Sequence, residues 1–208
     1  MNETHALLQT LTKLGLEYSE ETVPTLLNYQ KLVLKWNKFY NLTATRSPSE
    51  FFTRHLIDCV TLAPHIIGNN IIDVGSGSGL PGIPLAILFP EKQFTLLDSN
   101  GKKTRFLTQA KIELGLNNVR VVHSRVEKYQ EHTYDALVTR AFSSIEETLS
   151  LLEHLRAQNG VYYLMKGNLL EQELQSVPDG YHSSTLKLEN EFSSESFLVK
   201  LTSIEGSE

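Results

Sequence analysis

The chain has 208 residues, of which 40% are hydrophobic, and a single cysteine, Cys59. This size and composition suit one compact domain with a small appendage, and one cysteine excludes an internal disulfide framework and a multi-cysteine metal site. Since there is no apolar run near the ~18 residues of a membrane span and no signal-peptide pattern at the N-terminus, we expect a soluble, cytoplasmic protein without a membrane partner.

The formal net charge of −5 is distributed unevenly along the sequence. Residues 1–60 hold six basic and six acidic residues, residues 61–140 hold nine and seven, and residues 141–208 hold four and eleven. The acidity therefore belongs to the last third of the chain. A basic face elsewhere is compatible with a nucleic-acid partner.

The first 65 residues have helical patterns. Apolar side chains recur at spacings of three and four along residues 26–40, which predicts a helix with one buried stripe that stops at Asn41. The stripe consists of Leu26, Tyr29, Val33, Trp36 and Tyr40. A second helix is predicted from Ser47 as its N-cap, with Pro48 in the first position and Glu50 as the capping-box partner. Its expected buried face is Phe52, Leu56, Cys59 and Ala63.

From residue 70 onward, short β-branched runs alternate with helical stretches such as residues 104–116. The runs predict strands at residues 71–74, 94–98, 119–123, 136–139 and 161–165. This alternation predicts a mostly parallel, doubly wound α/β sheet. Residues 181–188 and 196–202 have no helix between them and predict an antiparallel hairpin at one edge. We expect residues 1–65 to form a helical subdomain packed on a second unit, residues 66–208.

Three glycines at alternate positions, Gly75, Gly77 and Gly79, follow the first predicted strand and precede a helix. Gly75 and Gly77 lack a Cβ, so the backbone can turn sharply and a ligand can approach its amides. The ligand crevice of an open parallel sheet lies beyond the carboxyl ends of the strands, where this loop falls. Asp98 ends the second strand, 21 residues after Gly77, and suits a carboxylate that binds two ribose hydroxyls.

The loop is compatible with two kinds of cofactor, because Gly77, Gly79 and Gly82 also satisfy the dinucleotide pattern. Asp73 places a carboxylate beside the loop, where it would repel a pyrophosphate, and Pro81 removes a backbone donor that would otherwise face a phosphate. Both features favour S-adenosylmethionine, which carries an ammonium, a sulfonium and no phosphate. An NAD-dependent oxidoreductase, or glycines used only for a tight turn, are the alternatives.

The residues indicate the identity of the methyl acceptor less clearly than that of the cofactor. Cys59 is the only possible nucleophile for methylation of a pyrimidine carbon, and its place on an apolar helix face predicts a buried, inert thiol. The fourth predicted strand ends in Thr139-Arg140-Ala141-Phe142, which differs from the Asn/Asp-Pro-Pro-aromatic motif of exocyclic adenine amine methyltransferases. Arg140 at this position suits a phosphate or the O6 and N7 acceptors of guanine.

Motifs between residues 36 and 167 resemble the bacterial glucose-inhibited division B family of 16S ribosomal RNA methyltransferases. The narrowest are Arg54-His55 and Gly79-Leu80-Pro81-Gly82-Ile83-Pro84. The remaining matches are Trp36-Asn37-Lys38, Asn41-Leu42-Thr43, Asp73 to Ser78, Leu97-Asp98-Ser99, Lys102-Lys103, Ser124-Arg125-Val126-Glu127, Arg140-Ala141 and Lys166-Gly167. Cys59 stands where a serine is expected in the family.

The resemblance implies a Rossmann-like class I S-adenosylmethionine-dependent methyltransferase that acts on N7 of a guanine in 16S rRNA, guanine 527 of the small subunit. It also implies that the methyl donor, which leaves as S-adenosylhomocysteine, is contacted by Gly75, Leu80, Val126, Glu127 and Arg140. Guanine N7 has a free lone pair and no proton at neutral pH, so its methylation requires positioning rather than a general base. We expect no catalytic acid or base and no metal.

Cationic side chains around the predicted crevice are candidates for RNA contacts, although each also fits an ordinary surface charge. They are Arg54, Lys102, Lys103, Arg105 and Lys166. Lys102, Lys103 and Arg105 lie at the start of a predicted helix, where cations interact unfavourably with the helix macrodipole. This local cost suggests a function such as phosphate binding. Arg54 is expected to face RNA, and His55 to face the core.

We expect the substrate to be 16S rRNA within the small ribosomal subunit and the enzyme to be a monomer. A small-molecule methyltransferase is one alternative, since it would share the same cofactor loop. A non-enzymatic ribosome-binding protein is the other, and it would fail to bind S-adenosylmethionine.

Overall fold

Seven strands form one mixed sheet in the computed structural model, which describes residues 2–45, 47–167, 171–192 and 196–204. They are β1 (Asn70–Val74), β2 (Gln93–Asp98), β3 (Val119–His123), β4 (Tyr134–Arg140), β5 (Arg156–Lys166), β6 (Tyr181–Lys187) and β7 (Phe197–Ser203). The order is β3-β2-β1-β4-β5-β7-β6, with parallel pairs from β3 to β5 and antiparallel pairs on both sides of β7. The predicted parallel sheet with an antiparallel edge hairpin is confirmed.

Helices occupy most of the first 65 residues and the connections between strands. They are α1 (Glu3–Lys13), α2 (Thr22–Tyr40), α3 (Pro48–Phe51), α4 (Ile57–Leu62), α5 (Gly82–Leu88), α6 (Gly101–Glu113), α7 (Ile145–Leu152) and α8 (Glu171–Gln175). A π-helical segment, Phe52–Leu56, joins α3 to α4, and 3-10 turns occupy Ala63–His65, Val126–Lys128 and Glu153–Leu155. In the described part of the chain, no helix has the length and apolar character required to span a bilayer.

The predicted stripe on α2 is the face that the helix buries. Leu26, Tyr29 and Val33 are fully buried, whereas Trp36 and Tyr40 are partly buried. The helix ends where predicted, because Asn41 adopts the left-handed conformation with φ of 50°.

The start of α3 follows the predicted capping pattern only in part. Ser47 Oγ accepts a hydrogen bond from the Glu50 amide, and Pro48 occupies the first turn. The Glu50 carboxylate does not complete a capping box, because its Oε1 accepts a hydrogen bond from Arg54 at 3.1 Å. The expected apolar face is buried: Phe52, Leu56, Cys59 and Ala63.

The sheet separates two apolar clusters, because successive strand residues point to opposite faces. Ile71 belongs to the cluster that contains the apolar faces of α1, α2, α4, α5 and α6, and Ile72 belongs to the cluster under α7. Side chains from both sides of the predicted boundary at residue 65 share the first cluster. The division into a helical subdomain and a second unit stays a prediction.

Two elements, α6 and β5, have predicted boundaries that are wrong by three residues or more. α6 begins at Gly101 and ends at Glu113, rather than spanning residues 104–116, because the Asn100 side chain caps it and accepts a hydrogen bond from the second amide at 2.9 Å. β5 begins at Arg156, ahead of the predicted residues 161–165. Its first part is polar and partly exposed, so its hydrophobic pattern is weak.

Candidate active site

The glycine loop, residues 75–81, leaves the carboxyl end of β1 and enters α5. The amides of Gly75 and Ser76 both donate to the carbonyl of Leu97, at 2.8 and 3.2 Å, which fastens the loop to β2. Gly75 has φ of 72°, and a Cβ on it would come within 2.8 Å of Phe142 Cδ2. Both the backbone conformation and the packing therefore require glycine at this position.

Gly77 differs from Gly75 because a Cβ on it would meet only ordinary van der Waals contacts. Its φ is 60°, and the closest atoms to a Cβ would be Gly75 O at 3.7 Å and Lys103 Nζ at 3.9 Å. Packing within the chain therefore leaves room for a side chain here. A backbone without a side chain and without a close neighbour allows a ligand to approach closely.

Asp98 lies buried at the end of β2 and holds the loop in place. Its Oδ2 accepts a hydrogen bond from the Gly77 amide at 2.9 Å, and its Oδ1 accepts one from the Asn100 amide at 2.8 Å. Lys103 Nζ lies 3.9 Å from Oδ2. An ionised carboxylate can accept about four hydrogen bonds, so capacity remains for a ligand hydroxyl.

Asp73 lies beneath the loop with a side chain that is only partly satisfied. The residue is 1% exposed, and its Oδ2 accepts a hydrogen bond from the Gly82 amide at 3.0 Å. Its Oδ1 is buried and has no hydrogen-bond partner among the described residues. Burial raises the pKa of Asp73 to about 7. A nearby cation would favour the ionised form, so the donor that this oxygen lacks is best supplied by a positively charged group.

Tyr29 ties α2 to the glycine loop. Its buried hydroxyl donates a hydrogen bond to the carbonyl of Ser78 at 2.7 Å. The sequence pattern placed Tyr29 correctly in the core but gave no indication of this bond. The available signal was a hydroxyl in an otherwise apolar stripe, since a buried tyrosine hydroxyl requires a partner.

Arg140 connects the end of β4 to the π-helical segment. Its Nη2 donates to the Arg54 carbonyl at 3.0 Å and lies 2.7 Å from His55 Nδ1. Burial and the Arg140 charge lower the pKa of His55 to about 4, so the ring is neutral at pH 7 and Nδ1 accepts from the guanidinium. Its Nε2 then donates to Thr45 Oγ1 at 2.8 Å. The expected inward orientation of His55 is confirmed.

The other predicted cofactor residues lie at the same edge of the sheet. Leu80 belongs to the glycine loop and is buried, and Val126 and Glu127 follow β3, with Val126 buried and Glu127 exposed. Residues from the ends of β1, β2, β3 and β4 therefore meet at one edge, which is where parallel sheets bind ligands.

The predicted RNA-binding residues differ in exposure. Lys102 and Arg105 are exposed in the first turns of α6, and Arg54 is exposed in the π-helical segment. Lys103 is partly buried beside the glycine loop.

Lys166 is the least accessible of these residues. Its side chain is 11% exposed, and its Nζ donates to the Ser143 carbonyl at 2.5 Å and to Glu173 Oε1 at 3.0 Å. This ion pair would have to open before Lys166 could contact a phosphate.

The sequence predicts no catalytic role for the single cysteine and no metal ion. Cys59 is buried, as expected, and burial raises the pKa of its thiol to about 12. The described residues include no group of three His, Cys, Asp or Glu side chains arranged for a metal ion. A cavity of about 810 Å³ lies at the opposite edge of the sheet, between residues 15–25, the end of α5 and residues 114–118.

Solved structures share the architecture of this chain. A mutant of MtNAS in complex with S-adenosylmethionine superposes with a TM-score of 0.56 at 15% identity, covering 84% of this chain and 72% of that one. An rRNA methylase from Streptococcus thermophilus superposes with a TM-score of 0.51 at 17% identity, covering 71% and 94%. The chain therefore has the class I S-adenosylmethionine-dependent methyltransferase fold.

Sequence relatives match over most of their length. Ribosomal RNA small subunit methyltransferase G from Ectopseudomonas mendocina is 51% identical over 183 residues, 86% of each chain. Its namesake from Shewanella amazonensis is 48% identical over 176 residues, 84% of this chain and 85% of that one. The family model for rRNA small subunit methyltransferase G matches residues 22–196. The chain is therefore an enzyme that belongs to the rRNA small subunit methyltransferase G family.

Proposed function

We propose that this chain, as a cytoplasmic monomer, transfers a methyl group from S-adenosylmethionine to N7 of a guanine in 16S rRNA within the small ribosomal subunit. Guanine 527 is the position that the family resemblance suggests. The observation that carries the proposal is the buried Asp73 Oδ1, which has no partner among the described residues and lies under the glycine loop. A cationic ligand would satisfy it, whereas a pyrophosphate would not.

The residues at this edge fit S-adenosylmethionine in charge and in space. We propose that Asp73 binds its ammonium, that Asp98 binds the ribose hydroxyls, and that Gly75, Gly77 and Leu80 form the wall along which it lies. Val126 and Glu127 would hold the adenine, and Arg140 would also contact the methyl donor. When bound, the cofactor supplies a methyl group already activated by the sulfonium.

The protein's task is then to orient the acceptor and to exclude water. A general base is not required for N7, and the described residues near this edge include a neutral His55 that accepts a hydrogen bond from Arg140. Orientation alone can contribute about 7–11 kcal/mol to lowering the barrier. RNA would be held by the proposed set Arg54, Lys102, Lys103, Arg105 and Lys166, of which Lys166 must first leave Glu173.

The test is methylation of small ribosomal subunits that lack the modification, with labelled methyl donor and mapping of the modified nucleotide. Label at N7 of guanine 527 is expected. Label elsewhere, or faster labelling of a small molecule without RNA, would overturn the proposal. Binding of NAD in place of S-adenosylmethionine in calorimetry would also overturn it.

A pair of matched glycine variants tests the cofactor site itself. Gly77→Asp fills the open face and adds a charge beside Asp98, so we expect loss of S-adenosylmethionine binding and of methylation. Gly115→Asp is the control, because Gly115 also has a positive φ, 67°, and faces open space, but lies after α6 at the opposite edge. Methylation that survives Gly77→Asp would show that the cofactor binds elsewhere.

A further inference from the structure

One surface of α2 is strongly basic although the whole chain is acidic. Residues 22–49 contain four basic residues and no acidic residue. Three of them, Lys31, Lys35 and Lys38, follow one another at spacings of four and three on α2, so they share one helix face. All three are exposed, and they lie opposite the buried stripe that includes Tyr29 and Val33. We call these three lysines the α2 basic face.

The charge of the α2 basic face is not neutralised within the described part of the chain. None of the three ammonium groups forms an ion pair with a described carboxylate. By contrast, Lys103 lies beside Asp98, and Lys166 is paired with Glu173. The three positive charges are therefore available to an external anion.

A cavity lies between this face and the start of α3. Its volume is about 650 Å³, and its walls include all three lysines together with Asn37, Asn41 and Pro48. Asn37 fixes the wall, because its Nδ2 donates to the Thr45 carbonyl at 3.0 Å and its Oδ1 accepts from the Thr43 amide at 2.9 Å. The cavity therefore has a concave wall fixed by hydrogen bonds and lined by lysines, which suits a phosphate group.

The helix that carries the α2 basic face packs against α6, which begins at the edge of the sheet that carries the glycine loop. Trp36 packs against Phe106 of α6, with ring centroids 5.8 Å apart, so the C-terminal half of α2 lies alongside α6. The first turns of α6 carry the exposed Lys102 and Arg105. Phe39, near the C-terminus of α2, is a large hydrophobic side chain that is 80% exposed. It follows Lys35 by one helical turn.

We propose that the α2 basic face and Phe39 form the surface on which the RNA backbone docks beside the target base. The lysines bind phosphates, one of which enters the cavity, and Phe39 stacks on an unpaired base. This inference rests on the proposed function and extends it to a second surface, which lies outside the cofactor site. RNA is favoured as the partner because α2 packs against α6, and the first turns of α6 carry the exposed Lys102 and Arg105 at the edge where an RNA base would be methylated.

The test removes the three charges together and compares the variant with a variant of equal charge. Lys31→Gln, Lys35→Gln and Lys38→Gln form the test variant, and Lys13→Gln, Lys111→Gln and Lys187→Gln form the control. Both change the net charge by the same amount. The measurements are kcat/KM on small ribosomal subunits at several salt concentrations, the Kd for S-adenosylmethionine and the melting temperature.

We expect the test variant to lose roughly 10- to 100-fold in kcat/KM through KM, with kcat and cofactor affinity unchanged. The slope of log kcat/KM against log salt, which is negative, should become shallower by about 2, since each phosphate contact contributes about −0.7 to −0.9. The control variant should behave like the wild type. Equal effects in the two variants, or a loss of kcat alone, would overturn the proposal while the proposed function stands.

Two further outcomes separate this inference from its alternatives. Wild-type protein that fails to methylate the subunits would remove the proposed function and this inference with it. If the test variant lost binding to phosphatidylserine vesicles but kept its KM for subunits, the face would belong to a lipid surface, and the inference would be wrong.

Phe39 provides a second test that does not depend on charge. Phe39→Leu keeps an apolar side chain of similar size but removes the aromatic ring. We expect KM for the subunits to rise about 5-fold or more, with the salt slope unchanged, because base stacking involves no counterion release. A KM equal to that of the wild type would exclude stacking at this position.

Discussion

Asp73 and Asp58 are both buried carboxylic acids, but their surroundings supply them with different hydrogen-bond partners. At the junction of α4 with the edge hairpin, Asp58 Oδ1 accepts from Asn190 at 3.1 Å and Oδ2 accepts from Ser196 Oγ at 2.6 Å. Arg140 lies 3.9 Å from the same Oδ2. Under the glycine loop, Asp73 accepts one backbone hydrogen bond, and its second oxygen has no partner among the described residues.

The difference separates a structural acid from one that is available to a ligand. Leaving a buried polar atom without a hydrogen bond costs free energy. The unpaired Asp73 Oδ1 is therefore better explained by a ligand that binds it than by a role in folding. Burial alone therefore does not identify a functional acid. The set of partners does.

The largest expected effect is on stability and comes from the paired acid. Asp58→Ala removes the acceptor for Asn190 and Ser196 and leaves Arg140 without its carboxylate, so we expect the free energy of unfolding to fall by about 3–5 kcal/mol. Urea denaturation measures it. Asp179→Ala, at an exposed position, is the control and should change stability by less than about 0.5 kcal/mol. If Asp58→Ala lost less than about 1 kcal/mol of stability, Asp58 would not be a structural acid and the difference from Asp73 would not hold.

The unpaired acid should affect ligand binding instead. Asp73→Asn retains an oxygen to accept from the Gly82 amide but removes the charge, so we expect the Kd for S-adenosylmethionine to rise roughly 10- to 100-fold. The free energy of unfolding at pH 8 should not fall, because the buried charge is gone. Calorimetry and urea denaturation measure the two effects. Unchanged affinity would mean that the free oxygen serves no ligand.

The raised pKa of Asp73 predicts that the affinity for S-adenosylmethionine depends on pH. Because the pKa is about 7 in the free protein and a bound cation would lower it, binding below pH 7 must release a proton. Affinity for S-adenosylmethionine should therefore rise about fivefold between pH 6 and pH 7 and about twofold more by pH 8, where it levels off. Calorimetry across this range should show the same dependence much reduced in Asp73→Asn. An equal dependence in the two proteins would contradict the assignment.

The smallest expected effect concerns the bond that holds the loop from outside. Tyr29→Phe leaves the Ser78 carbonyl buried without this donor, so we expect the free energy of unfolding to fall by about 1–2 kcal/mol and cofactor affinity to fall a few-fold. Tyr40→Phe, at the partly buried end of the same helix, is the matched control. If both variants bound S-adenosylmethionine like the wild type, Tyr29 would be a core residue without influence on the loop.

The sequence allowed most of the fold to be predicted because local patterns and global topology agree. The strand runs, the glycine loop after β1 and the left-handed Asn41 follow from period, Cβ sterics and capping chemistry, and these act within a few residues. The early part of β5 was missed because it is polar and partly exposed, so its hydrophobic pattern is weak. The position of Asp98 against Gly77 was anticipated from spacing, whereas the Tyr29–Ser78 bond was not.

By itself, the sequence determined the class of fold, the edge at which a ligand would bind and the family that the motifs resemble. Only the tertiary structure decided which polar atoms have partners. It paired Lys166 with Glu173, enclosed Arg140 between His55 and Asp58, and left Asp73 Oδ1 unpaired among the described residues. These contacts join side chains that are far apart in the chain or depend on burial. Local sequence patterns report backbone preference and hydrophobic period, and neither quantity specifies a long-range partner.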